Sequence, residues 1–164
     1  ATPLTAAKQA GVSADLMDLL VGTTNGSLGE TSAIACILGG LYLCIRRTAS
    51  WEIPAGVLLA VAVLAGLGDL TGAESSWTTA HQLLGGALLF GAFFIATDPV
   101  SSPLTPRGKW IFGLGVGALV MLLRVFSGYP EGVMFAVLLM NAMVPLINRW
   151  TIPRPVGGPV PAAK

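Results

Sequence analysis

Five apolar runs constrain this chain more than any other feature: Ala33 to Ile45, Ile53 to Gly68, Leu83 to Thr97, Trp110 to Phe126 and Gly132 to Ile147. Each falls a little short of the roughly 20 residues a helix needs to cross a bilayer, so polar flanks must complete the spans. The runs are rich in Leu, Ala and Gly and lack period-two alternation, and a lipid-facing sheet would have to close into a barrel. They read as helices. Hydrophobic residues make up 54% of the chain and charged residues 10%, against roughly a quarter charged in an ordinary soluble domain. The expectation is an all-α integral membrane protein in a lipid bilayer. Residues 31–150 would form a bundle of five transmembrane helices, preceded by a segment at 1–30 and followed by a Pro-rich tail at 151–164.

Nine Lys and Arg stand against eight Asp and Glu, which leaves no basic stripe of the kind nucleic-acid binding needs. Where the positive charges fall matters more. If the first span exits at Arg46 and Arg47 toward the cytoplasm, alternation places Arg107, Lys109, Arg149, Arg154 and Lys164 on that side, with Lys8 and Arg124 opposite. By the positive-inside rule, residues 1–30 then lie on a periplasm-like face and the tail is cytoplasmic. Cys36 and Cys44, eight apart in one apolar run, make neither a CxxC motif nor a metal-spaced cluster, and they read as buried thiols. No metal site is expected, and no nucleophile triad, Walker loop or GxGxxG is present.

The polar residues have ordinary structural readings. Thr2 before Pro3 reads as an N-cap with Pro at the first helical position, Gly11 as a helix end, and Ser13 as the cap of a next turn through Leu20 to Gly22. Ser27 and Glu30 have capping-box spacing at the entry to the first span. Asp98 precedes Pro99, which disfavours helix before it, so a helix stop and turn are expected there. Asn141 lies midway along the fifth run with Pro145 one turn later, and reads equally as interhelical glue or as a functional group at depth. His81 is the lone histidine and reads as structural. Arg124, near the outer end of the fourth run, can snorkel or meet an anion. Gly113, Gly115 and Gly117 give that run a small-xxx-small face for close helix contact.

Four blocks occur in order along the chain: "ATPLTAAK" at the start, "GSLGETSAIACILGGLYL" at 26–43, "GAFFIATDPVSSPLTPRGK" at 91–109 and "GYPEGVMFAVLLMNAMVPLIN" at 128–148. Together they resemble the RnfD-type subunit of the Rnf ion-translocating electron transport complex, and in the same places the related NqrB-type subunit of the sodium-pumping NADH:quinone reductase. The resemblance covers essentially the whole chain and only the C-terminal half of such a subunit. The start on Ala1, without Met, fits a piece of a longer polypeptide. The implied fold is half of a urea-transporter-like bundle of two inverted five-helix repeats.

The resemblance also implies chemistry. In that family FMN is attached through a phosphodiester to a threonine in an Asp-x-x-Ser-Gly-Ala-Thr motif, and Ala1 with Thr2 match its last two positions, while the upstream residues are absent here. Thr2 is thus the candidate for covalent FMN. Gly29, Glu30, Thr31 and Ser32 are expected nearby at the start of the first span, where a helix N-terminus favours a phosphate. A non-covalent riboflavin is implied in the membrane part, and Asp98, Ser101 and Ser102 are its candidate contacts, because Pro99 and Pro103 keep that segment out of regular helix. The implied partners are a second FMN-bearing subunit, iron–sulfur subunits and an NAD-linked subunit of one complex in the bacterial inner membrane. The implied function is electron transfer from ferredoxin toward NAD coupled to Na+ or H+ translocation. Two other readings stay open, half of a transporter or channel without redox work, and a scaffold for neighbouring subunits.

Overall fold

The computed structural model describes residues 15–23, 26, 32–70, 78–127 and 131–153. Thr2, Gly29, Glu30 and Thr31 lie outside the described residues, as do Gly11, Ser13 and Ser27. Among the described residues every regular element is helical: α1 (Leu16–Val21), α2 (Ala33–Ile45), α3 (Glu52–Leu70), α4 (Thr79–Leu84), α5 (Leu88–Phe90) continuing into a π-helical turn (Gly91–Ile95), α6 (Pro106–Phe126) and α7 (Val133–Thr151).

Three of these, α3, α6 and α7, are long and apolar enough to cross a membrane. The other two runs behave differently. Helix α2 has 13 residues, about 20 Å at 1.5 Å per residue, and so is shorter than the hydrocarbon core. The third run is interrupted at Gly85 and Gly86, so it forms α4, a break, then α5 with the π turn.

The centre of the bundle is the pairing of α3 with α6, which run parallel. Ile53, Val57 and Val61 on α3 face Phe112, Val116 and Val120 on α6, all with almost no exposed surface. Spacings of four residues put each trio on one helical stripe. Between helices already in lipid the apolar groups gain little from leaving water, so close packing of small residues must hold them. Gly56, Gly113 and Gly117 supply it: a Cβ on Gly113 would lie 2.6 Å from the Ile53 carbonyl oxygen and 3.2 Å from the Gly56 Cα. The sequence pattern needs one correction, because Gly115 does not share this face. It points toward α7, where a Cβ would meet the Met140 side chain, as expected for a residue about 200° from its second neighbours' face at 3.6 residues per turn.

Helices α6 and α7 are antiparallel, since Gly132 abuts Leu123 at one end and Gly108 abuts Thr151 at the other. Val133, Val137, Val144 and Ile147 turn inward from α7, while Met134, Phe135, Leu138, Leu139 and Leu146 face out. That outward apolar face is what a lipid environment allows. Helix α2 packs along the π turn, with Gly40 against Phe93 and Gly39 against Phe94.

The chain order gives the bundle two distinct ends. One carries Arg46, Arg47, Glu52, Asp98, Arg107, Lys109 and Arg149; the other carries Asp15, Asp18, Asp69, Arg124 and Glu131. Among the described residues no charge falls between them.

Candidate functional site

At the basic end, Thr97 closes the π turn by donating its hydroxyl hydrogen bond to the Phe93 carbonyl. Pro99 then forces the chain out of helix, and the Asp98 carboxylate organises the next four residues. One of its oxygens accepts from the Val100 N–H at 3.2 Å and the other from the Ser101 hydroxyl at 3.0 Å, while the Ser102 N–H reaches the Asp98 carbonyl. This is an Asx turn. Asp98 and Ser101 are thus brought together, whereas Ser102 is buried. The strap is fixed at its far side by Asn148 of α7, whose side-chain oxygen accepts from the Leu104 N–H at 3.1 Å. Thr105 caps α6 through the Gly108 N–H, with Pro106 next to it at a position where no N–H is needed. Lys109 donates to the Ser50 hydroxyl, and Trp51 and Trp110 meet edge to face at 5.8 Å. Tryptophans and cations at one end match a membrane–water interface.

At the opposite end, Ser32 is the described member of the group at residues 29–32. It caps α2, accepting from the Ala35 N–H at 3.3 Å and donating to the Leu20 carbonyl at 3.4 Å, so it ties the helix start to α1. Helix α1 follows Asp15 and ends at Gly22, whose φ of 101° is the left-handed conformation glycine tolerates. It rests on α2 and α4. Asp69 at the end of α3 accepts from both the Thr79 N–H (3.1 Å) and hydroxyl (2.6 Å), which starts α4. His81 lies beside Thr78.

The most elaborate polar cluster was not legible as such. Arg124 does not snorkel, being only 5% exposed. Its guanidinium donates to the Gln82 carbonyl, to the Gln82 side-chain oxygen at 3.1 Å and to the Gly85 carbonyl at 3.0 Å, and it stands 3.6 Å from Glu131. Glu131 in turn accepts from the Ala87 N–H at 2.8 Å. The backbone groups released by the break at Gly85 and Gly86 are thereby satisfied from α6 and from the residues leading into α7. The signals were the Gly-Gly pair and a lone Arg in an apolar run. Midway along α7, the Asn141 side-chain oxygen is buried without a hydrogen-bond partner among the described residues. Pro145 removes the N–H that would ordinarily bond the Asn141 carbonyl.

Comparison with known proteins decides the family. The family described as NQR2, RnfD, RnfE matches residues 1–157. The chain belongs to that family. It is 44% identical over 164 residues to the D subunit of the ion-translocating oxidoreductase complex of Actinobacillus succinogenes, an overlap of 96% of this chain and 46% of that protein. It is 47% identical over 136 residues to the D subunit of the proton-translocating ferredoxin:NAD(+) oxidoreductase complex of Clostridium ljungdahlii, covering 82% of this chain and 41% of the relative. With the B subunit of the Na(+)-translocating NADH-quinone reductase of Ectopseudomonas mendocina it shares 45% identity over 142 residues, 83% of this chain and 35% of that one. The chain therefore spans less than half the length of the curated relatives it matches. Within the NQR2, RnfD, RnfE family it is a membrane protein whose described residues are all-helical, with three helices long and apolar enough to span a bilayer and two distinct polar ends.

Proposed function

We propose that this chain is part of a flavin-bearing membrane subunit of an ion-translocating oxidoreductase complex, coupling electron transfer of the ferredoxin:NAD type to movement of Na+ or H+. The family match over residues 1–157 carries the reading, because it runs through Thr2 as well as through the helices. In this reading α2 and the interrupted third run, completed by their flanks, are the remaining two of five spans, and the bundle is half of an inverted-repeat fold. The other subunits of the complex, among them a second FMN-bearing one, iron–sulfur subunits and an NAD-linked one, are its partners in a bacterial inner membrane.

Thr2 would hold the FMN phosphate through its hydroxyl, with Gly29, Glu30, Thr31 and Ser32 beside it. Ser32 fits this arrangement through the helix start it caps, since its own hydroxyl is committed to Ala35 and Leu20. A flavin, when bound, supplies one- and two-electron redox chemistry, and attachment through phosphate leaves its ring free. At the other end, Asp98, Ser101 and Ser102 are proposed beside a non-covalent riboflavin. After its two local bonds the Asp98 carboxylate keeps lone pairs that suit the N–H edge of such a ring. A cofactor at each end would shorten a transfer across roughly 30 Å of hydrocarbon.

One observation favours a second reading, half of a transporter for a small solute or ion: the break at Gly85 and Gly86 resembles the discontinuous helices on which carriers build their sites. Mass spectrometry of the peptide containing residues 1–8 from the intact protein separates the two. An FMN-phosphate adduct on that peptide supports the redox subunit, and an unmodified peptide from a colourless protein supports the transporter.

A further inference from the structure

A helix interrupted in a membrane exposes carbonyls and N–H groups that lipid cannot satisfy. In carriers, the oxygens of such an unwound stretch hold the mobile cation. Here the oxygens at the α4–α5 break converge on a cation already attached to the protein. The Gln82 carbonyl, the Gln82 side-chain oxygen and the Gly85 carbonyl each accept from Arg124, and Glu131 supplies a carboxylate oxygen 3.6 Å away. The space is made by Gly86, which takes φ 73° and where a Cβ would lie 3.1 Å from the Arg124 Nη2 and collide with the Glu131 carboxylate. The guanidinium is planar, always charged and offers donors in several directions at once, so it serves oxygens arriving from two backbone positions and two side chains.

We propose that the Gly85–Gly86 break is a cation-binding site whose resident occupant is the Arg124 guanidinium. This tethered cation closes the break to mobile ions and fastens α4 to the adjoining ends of α6 and α7. The site selects planar, guanidinium-type cations over spherical ones, because its oxygens are spaced around a fork rather than a point. Ion movement in the complex therefore takes a route other than this break. The geometry of the cluster carries this independently of whether flavin is bound.

The test is chemical rescue in the full-length subunit within its purified complex. Arg124→Ala should unfold at a lower temperature than wild type, and low-millimolar guanidinium should recover at least half of the loss while equal NaCl recovers none. Wild type should respond to neither. A folded Arg124→Ala protein that guanidinium does not restore, or that NaCl restores equally, overturns the proposal. If Arg124→Ala does not accumulate, the series Arg, Lys, Met at this position decides. The order of membrane-inserted protein should be Arg above Lys above Met, because Lys keeps the charge without the fork and Met keeps only the bulk. Met at or above Lys overturns the proposal.

Discussion

Gly117 of α6 sits so close to α3 that a Cβ placed on it would lie 2.6 Å from the carbonyl oxygen of Val57 and 2.7 Å from the Cβ of Ala60. Backbone cannot yield as a side chain can, so the two parallel helices must separate to admit any larger residue. Gly117→Leu is expected to destabilise the bundle by about 1–3 kcal/mol, the usual cost of overpacking. Gly66, with nothing within 4 Å of its Cβ position among the described residues, is the control: Gly66→Leu should leave the melting temperature of the purified complex near that of wild type. Equal effects at the two positions would show that α3 and α6 do not make this contact.

Gly86 is constrained twice, by its φ of 73° and by the Glu131 carboxylate beside it. An L-residue in the left-handed region costs roughly 1–2 kcal/mol, and here the new methyl would also push Glu131 off the Ala87 N–H. Gly86→Ala should therefore lower stability by more than that, whereas Gly85→Ala, at an ordinary extended φ of −87°, should lower it less. Thermal unfolding of the two variants side by side checks the order.

Residue patterns encode local properties, and those were the legible ones. The α3, α6 and α7 runs could be read because apolar length is local, and Asp98 as a turn could be read because Pro99 acts on its immediate neighbour. The Gly113–Gly117 contact was legible as a pattern, but not the partner helix, nor that Gly115 serves a different one. Arg124 illustrates the limit most clearly. Its acceptors are 39 and 42 residues away in sequence, and no spacing rule connects an arginine late in one helix with carbonyls freed by a glycine pair in another. The same holds for Asn148, which holds the Asp98 strap from 44 residues away.

The Asp98 strap yields a prediction that separates turn from cofactor site. Asp98→Ala removes both acceptors that order Val100 and Ser101, while Ser101→Ala removes a single hydroxyl. If the segment contacts riboflavin, flavin extracted from complexes carrying either change should fall below the wild-type stoichiometry. Full riboflavin content in both, still reducible, would identify residues 97–103 as a structural turn and move the second flavin elsewhere.

The uneven ends of the bundle bear on orientation. Five described Lys and Arg residues sit at the Asp98 end, Arg46, Arg47, Arg107, Lys109 and Arg149, against one, Arg124, at the other, and cations are retained on the cytoplasmic side during insertion. A cysteine replacing Lys8 should be labelled by an impermeant maleimide at the periplasmic face of intact inner membrane, and one replacing Arg107 only once the cytoplasmic face is opened. The reverse pattern would invert the bundle, and equal labelling would mean that the five-span count is wrong.

The last prediction concerns the flavin itself. Residues 1–8 offer two hydroxyls, Thr2 and Thr5, and the Ala-Thr order of the family's attachment motif selects the first. A phosphodiester survives denaturation, so covalent flavin stays with the protein band on a denaturing gel and fluoresces there, while a non-covalent flavin runs away from it. Thr2→Ala should abolish the fluorescence of that band, and Thr5→Ala should leave it intact. The proposed attachment also carries an expectation about the face on which the flavin lies. Leu20 of α1 is bonded to Ser32 at the start of α2, and α1 also rests on α4, so Leu16–Val21 is anchored at the end of the bundle opposite Asp98. A flavin on Thr2 should accordingly be quenched by an impermeant quencher at the face where the Lys8 cysteine is labelled. Covalent fluorescence that persists in Thr2→Ala, or that disappears in Thr5→Ala, removes Thr2 as the attachment residue.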